Sequence, residues 1–340
     1  MPHPATWLKP LPQGLFCEPG GFFIDPVRRV DRAVITHAHS DHARPGHRAV
    51  LASAATLALA RARLGKAAFG AVQAAGWGEV LRLGDVDLAL QPAGHVLGSA
   101  QIVMTYNGSR VVVSGDYKRA PDPTCAPFLP VPCDVFVTEA TFALPVFRHP
   151  PAAAEIARLL ESVAVFPRRA HVIGCYSLGK CQRLIALLRA AGWDRPIHVH
   201  AALAPMCAVY EALGVRLGEL RLAGVAAPAE LVGGIVLAPP SALGESWARQ
   251  LDEPVVGMAS GWMRLRARAK QSGVELPLVI SDHADWDELN ATVDAVGAPE
   301  VWVTHGREEA LVHALGKRGV TARALRLLGY ADADDAEAAG

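Results

Sequence analysis

Over residues 15 to 145 apolar residues come in short runs, each closed by a turn or a polar loop, which predicts short strands rather than long helices. The clearest case is Gln101-Ile102-Val103-Met104-Thr105-Tyr106 and Val111-Val112-Val113 on either side of Asn107-Gly108, a hairpin with its turn in the middle. One alanine-rich helix interrupts this region around residues 53 to 63, with Ser53 as its N-cap and Gly65 ending it. From about 153 to 260 strand and helix alternate: His171-Val172-Ile173, a helix from 179 to 190, Ile197-His198-Val199-His200, a helix after Pro205, then Ile235-Val236-Leu237-Ala238. That stretch reads as a parallel, helix-covered lobe inserted into the first domain and forming one wall of a cleft. Residues 276 to 328 add two more strand and helix units, Pro277 to His283 and Val301 to His305. The expected division is 1–150, the inserted lobe 151–262, the return segment 263–330, and a disordered acidic tail at 331–340.

A chain of 340 residues with 51% hydrophobic content can bury one large core or two coupled ones, so a small binding module is not expected. It has no long uncharged apolar run and no signal-peptide pattern at its start, so no membrane span and a cytoplasmic location are expected. The six cysteines form no Cys-x-x-Cys pair and read mostly as small buried hydrophobes. Formal net charge is zero, but basic residues gather at Arg168 and Arg169, Lys180 and Arg183, Lys118 and Arg119, and between Arg264 and Lys270. The last run fits a phosphate-backbone patch and equally an ordinary solvated helix face.

The most informative polar segment is Thr36-His37-Ala38-His39-Ser40-Asp41-His42, which directly follows the apolar run Ala33-Val34-Ile35. Alternate residues of an extended chain point the same way, so His37 and His39 can reach one ion while Asp41 and His42 hold a second. His95 after a turn at 92–94, Asp116 at the end of Val111-Val112-Val113, and His305 after Val301-Trp302-Val303-Thr304 are further ligands of the right type at strand ends. Asp116 suits a ligand shared between two ions, and the set reads as a two-metal hydrolase. In the segment 174–184, Ser177 and Lys180 before a helix could bind a phosphate, or the segment is a plain capped helix start. Trp262 either packs in the core or stacks on a base.

These residues, in this order, resemble the metal set of the metallo-β-lactamase fold, and the later segments resemble its nucleic-acid-processing β-CASP branch. The resemblance runs from about residue 10 to 328. It implies an α/β architecture, an αββα sandwich carrying an inserted β-CASP-like parallel lobe. Asp25, in Phe22-Phe23-Ile24-Asp25-Pro26, matches the carboxylate that supports the ligand loop from behind. Val137-Thr138-Glu139-Ala140-Thr141-Phe142, Ile280-Ser281-Asp282-His283-Ala284-Asp285-Trp286 and Val303-Thr304-His305-Gly306 resemble the branch's three additional motifs. The opening segment 15–26 resembles the bacterial DNA-ligase-associated exonuclease group.

The resemblance implies two zinc ions, with manganese able to replace them. His37, His39 and His95 hold one, Asp41, His42 and His305 the other, and Asp116 bridges. Asp41, Asp25, His283 and Glu139 then form the catalytic set: a two-metal-activated hydroxide attacks phosphorus and His283, oriented by Glu139, serves the leaving oxygen. Ser177, Lys180 and Arg264 are the expected substrate contacts. The implied function is a DNA exonuclease of repair or end processing, with an ATP-dependent DNA ligase and a helicase as partners and DNA preferred over RNA. An RNA-processing nuclease is the alternative, and a small-molecule hydrolase the third class.

Overall fold

The computed structural model describes residues 1–327 apart from 250 and 272, so the expected tail at 331–340 lies outside the described residues. Two compact units are present: Met1–Val146 with the described residues from His283 on, and Phe147–Asp282.

The first unit opens with a six-stranded sheet in sequence order, β1 (Leu8–Leu11), β2 (Gly14–Cys17), β3 (Phe22–Ile24), β4 (Arg32–Val34), β5 (Ala49–Ala52) and β6 (Ala71–Ala74). Helix α1 (Ala54–Leu64) follows β5; Ser53 caps it by accepting from Thr56 N, and Gly65 ends it, as the sequence predicts. A second sheet begins with β7 (Leu81–Leu83), β8 (Val86–Pro92), β9 (Ala100–Tyr106), β10 (Ser109–Val113) and β11 (Val135–Ala140). β9 and β10 form the predicted hairpin, and Asn107 and Gly108 both take positive φ, as a tight two-residue turn requires.

The second unit holds one sheet, in which every pairing is parallel. Its strands are β12 (His171–Gly174), β13 (Ile197–Val199), β14 (Leu220–Leu222), β15 (Ile235–Ala238), β16 (Val255–Ala259) and β17 (Leu276–Leu278), in the spatial order β14-β13-β15-β12-β16-β17. Its helices are α2 (Ala152–Val165), α3 (Lys180–Ala190), α4 (Ala204–Ala212), the single turns α5 (Pro228–Leu231) and α6 (Ser246–Arg249), and α7 (Arg266–Gln271). The strand expected from Pro277 to His283 ends at Leu278. Beyond it Val279 N donates to the Glu155 carboxylate instead of a sheet neighbour, and Ile280 N turns back to Leu278 O.

The chain then completes the first unit with α8 (Trp286–Val296), β18 (Glu300–Gly306), α9 (Glu308–Lys317) and β19 (Thr321–Ala324). The second sheet reads β19-β18-β11-β10-β9-β8-β7. Its central strands are apolar at consecutive positions because both faces are covered. Val111, Val113, Val135, Val137 and Trp302 join Leu15, Ile24 and Val34 in the core between the sheets. Val112, Phe136, Val301 and Val303 point the other way, onto Leu289 and Val293 of α8 and Leu311 and Leu315 of α9. Alternation along each strand thus builds the αββα sandwich, and polar side chains collect where the strands end.

Candidate metal centre

The ligand loop begins where β4 ends, and one carboxylate anchors both of its ends. Asp25 accepts from Thr36 N at 2.8 Å and from Thr36 Oγ1 at 2.5 Å, and its Oδ2 lies 2.7 Å from His42 Nδ1. The bond to Nδ1 turns the Nε2 side of His42 toward Asp41 and Asp116, each at 3.3 Å. Asp25 holds this position with φ of 41°, a left-handed backbone that non-glycine residues rarely adopt. From α1, Arg63 donates to the carbonyls of Ala38, His39 and Ala43 and fixes the middle of the loop. Sequence reasoning missed Arg63, since nothing local distinguishes it from other helix arginines.

Four donors converge in the first group. His39 Nδ1 lies 3.1 Å from His37 Nε2 and 3.0 Å from His95 Nε2, and Asp116 Oδ2 lies 3.5 Å from the former and 3.8 Å from the latter. Donors placed tetrahedrally about 2.0–2.2 Å from one zinc ion stand roughly 3.3–3.6 Å apart, so nitrogen and oxygen atoms at these spacings fit such an ion. A second group, Asp41, His42 and Asp116, shares Asp116 with the first, and its ligand atoms lie within 4.8 Å of one another. The His305 ring stacks on His42 with centroids 5.1 Å apart. His305 also takes a positive φ, 56°, at the end of β18, where the pairing of β11 with β18 shifts register. Gly306 follows at φ 106°, and a Cβ there would meet Ala140 O at 2.4 Å. Only glycine lets the backbone pass so close.

Glu139, Asp116 and His283 form a third convergence. Glu139 Oε1 accepts from Tyr117 N at 2.7 Å, and Oε2 accepts from Thr141 Oγ1 at 2.6 Å and lies 3.0 Å from His283 Nδ1. With both oxygens engaged in this way, Glu139 is placed to orient His283.

The buried carboxylates and imidazoles of these groups strongly shift one another's ionisation. Burial disfavours ionisation of Asp116, but His42, His283 and His37 outweigh it and hold the carboxyl well below the usual range. Burial also opposes charge on His42, yet Asp116, Asp41 and Asp25 raise it. His37 is driven down by burial and then by His42, and His305 by the same two causes to about 4.

The three expected substrate contacts belong to the second unit. Lys180 is buried with Nζ 2.8 Å from the Asp282 carboxylate, beside Arg183, which donates to Ser281 O. Ser177 O accepts from Gln182 Nε2 at the start of α3. Arg264 is exposed on the short turn Gly261–Arg264. Trp262, on the same turn, packs edge-on to Phe147 with the Arg268 guanidinium 4.5 Å above its ring. All six cysteines are free, and four are buried.

No family model matches the chain. It is 29% identical over 331 residues to a probable DNA ligase of Opitutus terrae, an alignment that covers 94% of this chain and 31% of that protein. A ribonuclease of Thermus thermophilus is 36% identical over 146 residues, covering 36% of this chain and 34% of its own length. The endoribonuclease ysh1 of Emericella nidulans is 35% identical over 102 residues, or 28% of this chain and 11% of that protein. The chain therefore spans about a third or less of the length of these relatives. A crystal structure of a protein of unknown function from Enterococcus faecalis superimposes with a TM-score of 0.59 at 13% identity, covering 87% of this chain and 79% of that one. Together with the shared-carboxylate pair of donor groups, this decides the fold.

The architecture matches a metallo-β-lactamase/β-CASP-like α/β sandwich. In a metallo-β-lactamase/β-CASP fold, two juxtaposed His/Asp groups of this kind indicate a metal-dependent hydrolase. Among the described residues no helix is long and apolar enough to cross a membrane.

Proposed function

We propose that this chain is a metal-dependent phosphodiesterase that cleaves nucleic-acid strands, with RNA as the better-supported substrate. The observation that carries the reading is the pair of donor groups sharing Asp116, with the Glu139–His283 pair immediately beside them. In this reading His37, His39 and His95 hold one ion, Asp41, His42 and His305 hold the other, and Asp116 is common to both. The nitrogen-rich set favours zinc, with manganese able to substitute at the more carboxylate-rich position. When bound, the two cations lower the pKa of the attacking water and neutralise charge developing on the phosphoryl oxygens.

The chain's own residues supply the rest. Asp25 keeps both ends of the ligand loop in place through Thr36 and His42. Glu139 fixes the His283 ring through Nδ1, and His283 delivers a proton to the leaving oxygen. In the second unit, Ser177, Lys180 and Arg264 are the proposed contacts to the strand's phosphates, with Lys180 Nζ also 2.8 Å from the Asp282 carboxylate.

Relatives named as ribonucleases support RNA over DNA. A second reading, a DNA exonuclease working with a ligase, is favoured by the alignment that spans nearly all of this chain, which is to a probable DNA ligase. A helicase partner rests on the sequence resemblance alone. Digestion of matched, end-labelled single-stranded RNA and DNA by the metal-loaded protein, with His39→Ala as control, separates the readings. Preferential RNA cleavage supports the first, and progressive shortening of DNA from one end with RNA left intact moves the assignment to the second. Loss of neither polymer, with both metals bound, overturns the phosphodiesterase.

A further inference from the structure

The loop that leaves Asp116 and the segment that carries His283 meet within the first unit, although about 170 residues separate them in sequence. Ala284 N donates to Tyr117 O at 2.6 Å, and Tyr117 N donates to Glu139, which in turn faces His283. Outside this ring sits Glu288. As the third residue of α8 it completes a capping box with Asp285: Glu288 N donates to Asp285 Oδ1 at 3.0 Å and Asp285 N to Glu288 Oε2 at 3.2 Å.

A capping acid needs nothing more, yet Glu288 also reaches across to the other loop. Its Oε2 accepts from Lys118 Nζ at 2.7 Å and its Oε1 from Ala120 N at 2.8 Å. The Lys118 side chain is 6% exposed and that of Glu288 20%, so the pair is shielded from water and directional. One carboxylate thus holds the residue two places after Asp116 and the helix cap two places after His283.

We propose that Glu288 is a positioning residue that keeps His283 in register with Asp116, acting through Lys118 and Asp285 without touching either substrate or metal ligand. The proposal rests on the phosphodiesterase reading for its catalytic consequence but has its own structural readout. The reacting groups tolerate little displacement, so loosening this tie lowers turnover more than it lowers substrate affinity.

The test compares Glu288→Gln, Lys118→Met and the double variant. Each single change should reduce kcat on bis(p-nitrophenyl) phosphate on the order of 10-fold with KM nearly unchanged and two metals per chain retained. Amide exchange at Ala120 and Ala284 in the metal-free protein should accelerate, and the double variant should be no worse than the poorer single one. A lowered melting temperature with kcat and exchange unchanged would make Glu288 a helix cap only. Additive losses, or loss of metal, would also overturn the proposal. If the parent protein hydrolyses no phosphodiester, the functional reading fails, and amide exchange with the double-mutant comparison of stability still decides the role of Glu288.

Discussion

His283 and Gly306 make the sharpest claims about single residues. Replacing His283 with alanine should leave both metals bound and slow strand cleavage on the order of 10²-fold, measured as single-turnover rate beside metal content. Release of metal would show that His283 is a ligand rather than the residue serving the leaving group. Gly306→Ala forces a Cβ to within 2.4 Å of the Ala140 carbonyl at φ 106°. The expected cost is roughly 1–3 kcal/mol of stability, together with weaker metal binding as His305 is pushed aside. Isothermal titration with zinc against an unfolding curve reads both, and an unaffected variant would mean the β11–β18 register can relax. The converging donors His37, His39, His95, Asp41, His42 and Asp116 were legible in the sequence because imidazoles and carboxylates seldom crowd together by chance, and most of them are local. Arg63, Thr141, Lys118 and Glu288 were not. Their types are common on any helix or loop, and their roles exist only through partners that the fold brings close.

At the level of elements, the hairpin β9–β10, helix α1 and the strand and helix alternation of the second unit followed from periodicity, caps and turn residues, which are local signals. The strand expected to run to His283 did not form beyond Leu278, because its apolar residues are taken up by side-chain and turn bonding that no period reveals. Helix α9 carries a pH effect of its own. Burial, and then Glu309, raise the Glu308 carboxyl from 4.5 to about 7. The folded state thus binds this proton more tightly than the unfolded state does, and stability is lost as pH rises from about 4.5 to about 7. Glu308→Gln removes the penalty. Its melting temperature should match the parent's near pH 4 and exceed it near pH 8, and an equal difference at both pH values would sink the assignment.

For the molecule as a whole, metal binding should report on the first unit alone, since every proposed ligand lies there. Ions that bind only the folded state stabilise it by roughly 4 kcal/mol when present at a thousandfold excess over Kd. Calorimetry with and without a chelator should therefore move the transition of the unit bearing the ligands. A shift confined to the other transition would contradict the metal centre.

The order in which the chain leaves the ribosome gives the sheet topology a further meaning. β11 has β10 on one side from the start, but its other neighbour, β18, is made only after the entire second unit. His37, His39, His95 and Asp116 emerge early, whereas His283 and His305 arrive last. A nascent chain can thus gather most of a metal centre long before the sheet that braces it is closed. On the proposed reading, synthesis itself becomes a timer: the chain would collect ions before it could cut, and cleavage would wait until the last strands dock.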